Sequence, residues 1–380
     1  MNHFLLPQLY KLSCCENINI EYNGEKQETI NISLHQYLNA IKTRIDVLES
    51  SGEWNNYKKY TNPYEFIHSV IPDIKKTVCT IRPISRSYYK LIEIINTLEL
   101  NDVNNPIETF HLAEGPGGFI EAICYLRSNI KDKYYGMTLI DNNPDVPGWK
   151  KSDDILNMYP NIYIEYGADN TGDLFNICNL EYCSKKYKNK MHLITADGGF
   201  DFSIDFNKQE EIGFNLIFAQ VCYALTMQKY NGHFILKIFD SFTKPTVDLI
   251  YILNTLYSKV YIMKPDTSRH ANSEKYIVCK HFKYKECDEV VKHLVKDFHK
   301  IKTKNITNIL SIYKPSHFLN KLIEYNSIFG QQQIENISNT LSLINNEIDG
   351  EKINALKKTN VYKCIKWCKK HKLPFNNISI

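Results

Sequence analysis

Short apolar runs alternate with helical stretches through the middle of this chain. Candidate strands fall at 109–113, 134–140, 161–166, 192–196, 232–237, 259–263 and 275–280, and apolar residues at helical spacing lie between most of them. Strands separated by helices do not pair as hairpins. The arrangement that buries both faces of such strands is a mostly parallel sheet with helices on each side. The pattern therefore predicts an α/β fold with a doubly wound, seven-stranded sheet of Rossmann-like type, whose ligands lie beyond the carboxyl ends of the strands where strand order reverses.

The flanks read differently. Leu34, Tyr37, Leu38, Ile41, Ile45 and Leu48 recur at helical spacing, and Tyr64, Phe66, Ile67 and Val70 mark a second, shorter apolar face. These are packing residues, and no chemistry appears before Arg82. Then Arg82, Arg86 and Lys90 punctuate an apolar and aromatic helix, ISRSYYKLIEII. Beyond Cys287 come Lys-, Asn- and Ile-rich helices carrying Phe318, Leu319, Leu322 and Ile323, and a further apolar stretch over 334–344. The division that follows is a mainly helical N-terminal extension over 1–80, the sheet domain over 81–284, and a basic helical C-terminal extension over 285–380.

Composition narrows the class. The chain has 380 residues, 43% of them hydrophobic, so a full core is available. Its 11 cysteines form no C-x-x-C pair, which argues against a structural zinc site or a disulfide framework. No charged-then-apolar leader and no apolar run near eighteen residues is present, so the expectation is a soluble protein of a reducing intracellular compartment, without membrane contact. The net charge is +4, yet the last hundred residues hold 17 lysines against 9 acidic residues. That end is either a solvated helical surface or a contact for a polyanion such as RNA.

The stretch HLAEGPGGF, from His111 to Phe119, joins a strand to a helix through Glu114, Gly115, Pro116, Gly117 and Gly118. Glycines at such a junction admit positive φ and let backbone approach a ligand that a Cβ would strike. Gly115 and Gly117 supply two positions of G-x-G-x-x-G, but Ile120 stands at the third and no P-loop lysine follows, which weakens nicotinamide and nucleoside-triphosphate readings. Asp141 follows the next strand, placed either to accept from a ribose diol or to cap its own loop. Asp169 and Asp173, in GADNTGD, face the adenine side or cap the following helix. A diol-binding acid with a glycine turn and no nicotinamide signature favours S-adenosyl-L-methionine.

The fourth strand runs into Asp197 and two glycines, the fifth ends at Lys237, and Glu274 precedes the seventh, with Ser268, Arg269 and Asn272 in the loop before it. A lysine ending an apolar strand either snorkels to solvent or serves a site, and the site is favoured here. Tyr88, Tyr89, Trp149, Phe200 and Phe202 are either core or stacking surfaces for bases.

In these five ordered segments, ISRSYYKL, AEGPGGF, TADGGFDFS, FILK and SRHANSEKY, the chain resembles the FtsJ-like, adrift-type ribose 2′-O-methyltransferases. The resemblance covers roughly Arg82 to Lys280, and the Asn- and Lys-rich composition is similar to that of large-DNA-virus members, which would place the protein in host cytoplasm or virion. It implies the methyltransferase version of the Rossmann-like fold, with S-adenosyl-L-methionine as cofactor held by Glu114, Gly115, Pro116, Gly117, Gly118, Phe119, Asp141, Asp173 and Asp197. It also implies a catalytic tetrad of Lys90, Asp197, Lys237 and Glu274. RNA, in particular capped mRNA, would be the substrate, met by Arg82, Arg86, Ser268, Arg269 and Asn272, with capping or transcription machinery as partners and no resident metal. The residue chemistry agrees: transfer to a ribose hydroxyl needs in-line approach and removal of its proton, and Lys237 is the best base. Burial and a neighbouring Lys90 favour its neutral amine, whereas Asp197 and Glu274 oppose it while directing it. His270 stands where relatives commonly carry proline. A ribosomal- or transfer-RNA methyltransferase and a non-catalytic RNA-binding homologue are the rival readings; base methylation is disfavoured because no Asn-Pro-Pro-aromatic motif follows the fourth strand.

Overall fold

The computed structural model describes residues 2–9, 17–24, 28–50, 52–101, 104–143, 146–199, 206–345 and 350–378. The chain opens on two short strands, β1 (His3–Leu5) and β2 (Ile18–Tyr22), followed by helices α1 (Ile32–Ser50), α2 (Glu53–Thr61) and α3 (Ser87–Leu98). Strands and helices then alternate: β3 (Glu108–Leu112), α4 (Gly118–Arg127), β4 (Lys133–Met137), α5 (Asp153–Met158), β5 (Ile162–Ile164), α6 (Ile177–Tyr187) and β6 (Met191–Ala196). The series continues with α7 (Gln209–Met227), β7 (Gln228–Ile238), α8 (Lys244–Leu256), β8 (Tyr257–Met263) and β9 (Lys275–Phe282). After these come α9 (Asp288–Val295), β10 (Ile306–Leu310), α10 (Ser316–Asn345) and α11 (Gly350–Lys370).

The main sheet has the order β1-β8-β9-β7-β6-β3-β4-β5. Pairs from β5 to β7 are parallel, whereas β7 with β9, β9 with β8 and β8 with β1 are antiparallel. All seven expected strands form, but the sheet has eight. The extra strand is β1, pairing Phe4 with Ile262 at the outer edge. Three residues are too few for alternation to register in a sequence, and only the free edge of β8 makes HFL a strand. The flanks are also less purely helical than their periodicity suggests, because β2 and β10 form a two-stranded sheet of their own.

Register sets the site. The chain leaves β3 towards β4 and β5, then returns to the other side of β3 as β6, so strand order reverses between β3 and β6. Leu112 lies level with Met137 and with Ala196, and Ala196 with Leu236. Residues 113, 138, 197 and 237 therefore emerge on one rim. Because β9 runs antiparallel, Lys237 faces Tyr276 across the ladder, and Glu274 sits just beyond.

Two apolar clusters sandwich the sheet. One packs α7 and α8, with Phe214, Phe218, Ile250 and Leu253, against Phe234, Leu236 and Ile262. The other packs α3, α4 and α11, with Tyr89, Ile92, Phe119 and Trp367, against Leu193, Ile235 and Val278. Complete burial on both sides explains why the central strands read as unbroken apolar runs.

Candidate active site

The turn after β3 is shaped by its own atoms. Gly117 has φ 114°, a left-handed value that favours glycine, and it precedes the first turn of α4. A Cβ on Gly115 would come within 2.6 Å of the Gly148 carbonyl oxygen. The first N–H groups of a helix lack partners within it; here Glu114 Oε1 accepts from Phe119 N at 2.8 Å and Ile120 N at 2.9 Å. Burial, with Asp197 nearby, pushes the Glu114 carboxyl up to about 8, against the pull of those two N–H groups.

A cleft of about 490 Å³ opens beside this turn, lined by Gly115, Thr138, Leu139, Asp173, Phe175, Asp197 and Lys237 among others. Of the turn residues, Ala113 and Gly115 line it. Glu114 lies beneath, as the cap of α4, Phe119 is in the core at 6.2 Å from the Tyr276 ring, and Gly118 meets Ser85 and Ser87 so closely that any Cβ would strike them. Asp173 lines the cleft with one oxygen accepting from Phe175 N and the other paired with Lys302 at 3.1 Å. Asp141 is exposed and outside the lining, its carboxylate accepting from Asn143 N at 2.7 Å. Size, glycine walls, two carboxylates and apolar Leu139 and Phe175 fit a cationic ligand that carries a diol and a flat ring, as S-adenosylmethionine does.

At the cleft's other end the four tetrad residues meet in two pairs. Lys237 Nζ donates to the Asp197 carbonyl at 2.7 Å and lies 3.4 Å from Asp197 Oδ1, with a side chain only 11% exposed; it does not snorkel. Lys90 Nζ donates to Glu274 Oε2 at 2.8 Å. Burial would raise the Glu274 carboxyl, but Lys90 and then Lys237 outweigh it and hold the group well below the usual carboxylate range. Two hydroxyls complete the arrangement: Ser268 donates to Glu274 Oε1 at 2.7 Å and Tyr276 to Asp197 Oδ1 at 2.8 Å. The result is a primary amine pointed into a cleft, flanked by two acids that are each held by a hydroxyl as well as by a lysine.

The loop from Lys264 to Glu274 is held from outside. Glu93 accepts from Asp266 N and from Thr267 N and Oγ1. Arg269 donates twice to Glu65, at 2.7 and 3.1 Å, and Asn62 Oδ1 accepts from His270 N. Buried Glu65 would be raised by desolvation, yet Arg269 brings it down to about 2. Lys264, fully buried, donates to Asn272 O and Oδ1 and to Glu274 O, and burial pushes it down to about 7. Arg86 donates to Thr267 O at 3.2 Å while its Nε has no partner among the described residues. Arg82 and Asn272 are exposed. A second cavity of about 190 Å³ opens on this side, lined by Arg269, Asn272, Trp54, Lys58 and Gln333.

Tyr88 and Tyr89 are core residues, half-buried Trp149 packs over Gly136, and Phe200 and Phe202 lie outside the described residues. Sequence reasoning missed Glu65, Glu93, Lys264 and Tyr276. Tyr276 closes the quoted SEKY segment, and Glu65 and Glu93 interrupt apolar runs, the signal that flags a buried partner.

Residues 83–282 match the family described as FtsJ-like methyltransferase. A cap-specific mRNA (nucleoside-2′-O-)-methyltransferase 2 of Pongo abelii is 27% identical over 383 residues, covering 94% of this chain and 46% of its own. A cap-specific mRNA (nucleoside-2′-O-)-methyltransferase 1 of Trypanosoma cruzi is 35% identical over 167 residues, covering 43% of this chain and 45% of its own. The chain thus spans less than half the length of these relatives. Among solved structures, a putative ribosomal RNA methyltransferase from Plasmodium falciparum is 21% identical, covering 52% of this chain and 97% of that one, with a TM-score of 0.37.

Proposed function

We propose that this chain, which belongs to the FtsJ-like methyltransferase family, methylates a ribose 2′-hydroxyl of RNA from S-adenosyl-L-methionine, at a cap-proximal nucleotide of mRNA. The observation that carries the reading is the amine of Lys237, fixed by Asp197 at the mouth of a glycine-lined cleft and faced by the Lys90–Glu274 pair. The activity for which the relatives are named supports the capped substrate.

Bound in the cleft, S-adenosylmethionine supplies a methyl group made electrophilic by its sulfonium. Gly115 would admit it closely, Asp173 would offer a carboxylate to its ribose diol, Leu139 and Phe175 would flank its ring, and Asp197 would balance its positive charge. Lys237 would take the hydroxyl proton at Nζ as the oxygen bonds to the methyl carbon and the methyl–sulfur bond breaks, its electron pair staying on sulfur. Asp197 orients that amine and is itself oriented by Tyr276. Glu274, held by Lys90 and Ser268, places negative charge where the developing ammonium needs it. A binding module has no use for this set, which disfavours the non-catalytic reading. The reducing, intracellular setting expected from composition belongs to the same proposal.

The test offers capped, uncapped and internally marked RNAs with radiolabelled cofactor and maps the methylated ribose. Label on the cap-proximal 2′-oxygen is expected; equal transfer to uncapped RNA would defeat the substrate assignment, and label on a base would defeat the reaction.

A further inference from the structure

Helix α11 has two faces of opposite character. Val361, Cys364, Trp367 and Cys368 are buried, and this side is bonded to the scaffold of the acceptor loop. Asn360 Nδ2 donates to Tyr60 O at 2.7 Å, Cys364 Sγ to Pro63 O at 3.5 Å, and Trp367 Nε1 to Glu93 Oε2 at 3.2 Å, the carboxylate that also holds Asp266 and Thr267. Past the helix, Thr80 N donates to Pro374 O and Asn376 N to Val78 O, which lays its end beside the segment leading to exposed Arg82.

The outer face carries Lys358, Tyr362, Lys363, Lys366, Lys369 and Lys370, all exposed. At 3.6 residues per turn they fall within about 140° of arc. Tyr362 keeps 68% of its surface. Inward Lys357 pairs with Asp73, whereas among the described residues Lys358, Lys363 and Lys366 meet no carboxylate, and no Asp or Glu occurs after Glu351. Surface helices ordinarily interleave acids, since like charges three or four residues apart destabilise the helix. Lys363 with Lys366, and Lys366 with Lys370, accept that cost. The face also runs beside the acceptor loop. Burial pushes His270 down to about 4 and Lys363 adds to the effect, while Lys370 opposes the rise that burial imposes on Asp266.

We propose that this outer face of α11 binds the sugar-phosphate chain of the RNA leading away from the acceptor nucleotide, with Lys358, Lys363 and Lys366 meeting phosphates and Tyr362 stacking on an unpaired base. The proposal rests on the RNA-methylating reading above. Its single-sign charge fits a polyanion, its tyrosine fits unpaired bases, and its anchoring to Glu93 fixes the track relative to Ser268 and Glu274.

The test uses the full chain and two variants, the triple K358Q/K363Q/K366Q and Tyr362→Ala. Anisotropy of a labelled capped RNA of about 30 nucleotides is followed across salt without methyl donor, and KM is compared for that RNA and a capped dinucleotide. The triple variant should bind the long RNA roughly tenfold more weakly, with the slope of log affinity against log salt reduced by about two, near 0.7 per phosphate contact. Tyr362→Ala should weaken binding about fivefold or more with the slope unchanged. KM should rise for the long substrate only, with melting temperature and cofactor affinity as in the parent. Unchanged long-RNA affinity and slope in both variants would overturn the track, as would a triple variant that keeps RNA but loses an acidic peptide, which would make the face a protein contact. A parent chain that binds RNA through this face yet methylates none would sink the methylation reading alone.

Discussion

The turn after β3 and the loop between β8 and β9 each bring a functional edge to the same rim, but they are stabilised in opposite ways. The first is self-contained: Glu114 caps α4 five and six residues away, and Gly117 supplies the backbone angle. The second is borrowed. Between Asp266 and Glu274 the loop is gripped by Glu65, Asn62 and Glu93 from the N-terminal side and by Gln333, which donates to Ala271 O, from the C-terminal side. The turn that opens the donor half is therefore local, although Asp173 across the cleft pairs with Lys302 of the C-terminal side, while the acceptor half depends on both flanks being folded.

The largest effect that would test this separation is Lys237→Ala. It should lower kcat roughly 10²–10⁴-fold, the range for losing a general base, while cofactor affinity by calorimetry stays within a few-fold. Parallel loss of both would mean that the two halves are one unit. Next is Asp173→Ala, expected to weaken cofactor binding roughly tenfold or more, as for a charge-assisted hydrogen bond, with Asp141→Ala nearly neutral because that carboxylate serves its own loop. The reverse ranking would move the diol contact to Asp141. Glu65→Ala should raise KM for RNA about tenfold by freeing Arg269 while leaving cofactor affinity alone; a fall in cofactor affinity would show that the loop's external grip also supports the donor side.

The smallest effect is at Glu114. Its carboxyl titrates near 8 when folded and near 4.5 when unfolded, so its contribution to stability is fully present below about pH 4.5 and is lost as pH rises through about 8. Glu114→Gln keeps the acceptor oxygen in neutral form. It should melt within a few degrees of the parent at pH 7 and lose the parent's decline between about pH 4.5 and pH 8, whereas Glu114→Ala leaves two N–H groups unmet at about 1–3 kcal/mol. A Gln variant with the parent's full decline over that window would remove Glu114 as its source.

Much of this was legible in the residues. Seven of the eight strands announce themselves as apolar runs, unbroken where the strand is central and buried on both sides, and mostly bounded by helical periodicity. Asp197, Lys237 and Glu274 stood out because charges directly flanking apolar strands need partners, and the register of β6, β7 and β9 supplies them. β1 was not legible, since its strand character belongs to the edge of β8, and neither was the fact that Asp173 reaches the cleft while Asp141, the same side chain after the preceding strand, does not. Lys90 is the instructive case. Its sequence neighbours are helix-core residues, and nothing within α3 indicates that its amine meets a carboxylate 184 positions later.

Periodicity, charge placement and glycine chemistry are properties of short segments, so the strand-turn-helix unit and its capping acid follow from the amino-acid order alone. Which carboxylate faces which lysine, which acid reaches the cleft, and which helices hold the acceptor loop are set by contacts between residues from 40 to more than 200 positions apart. Burial makes those contacts decisive, because a charge removed from water must find its partner in space, and only the folded chain brings the partner there.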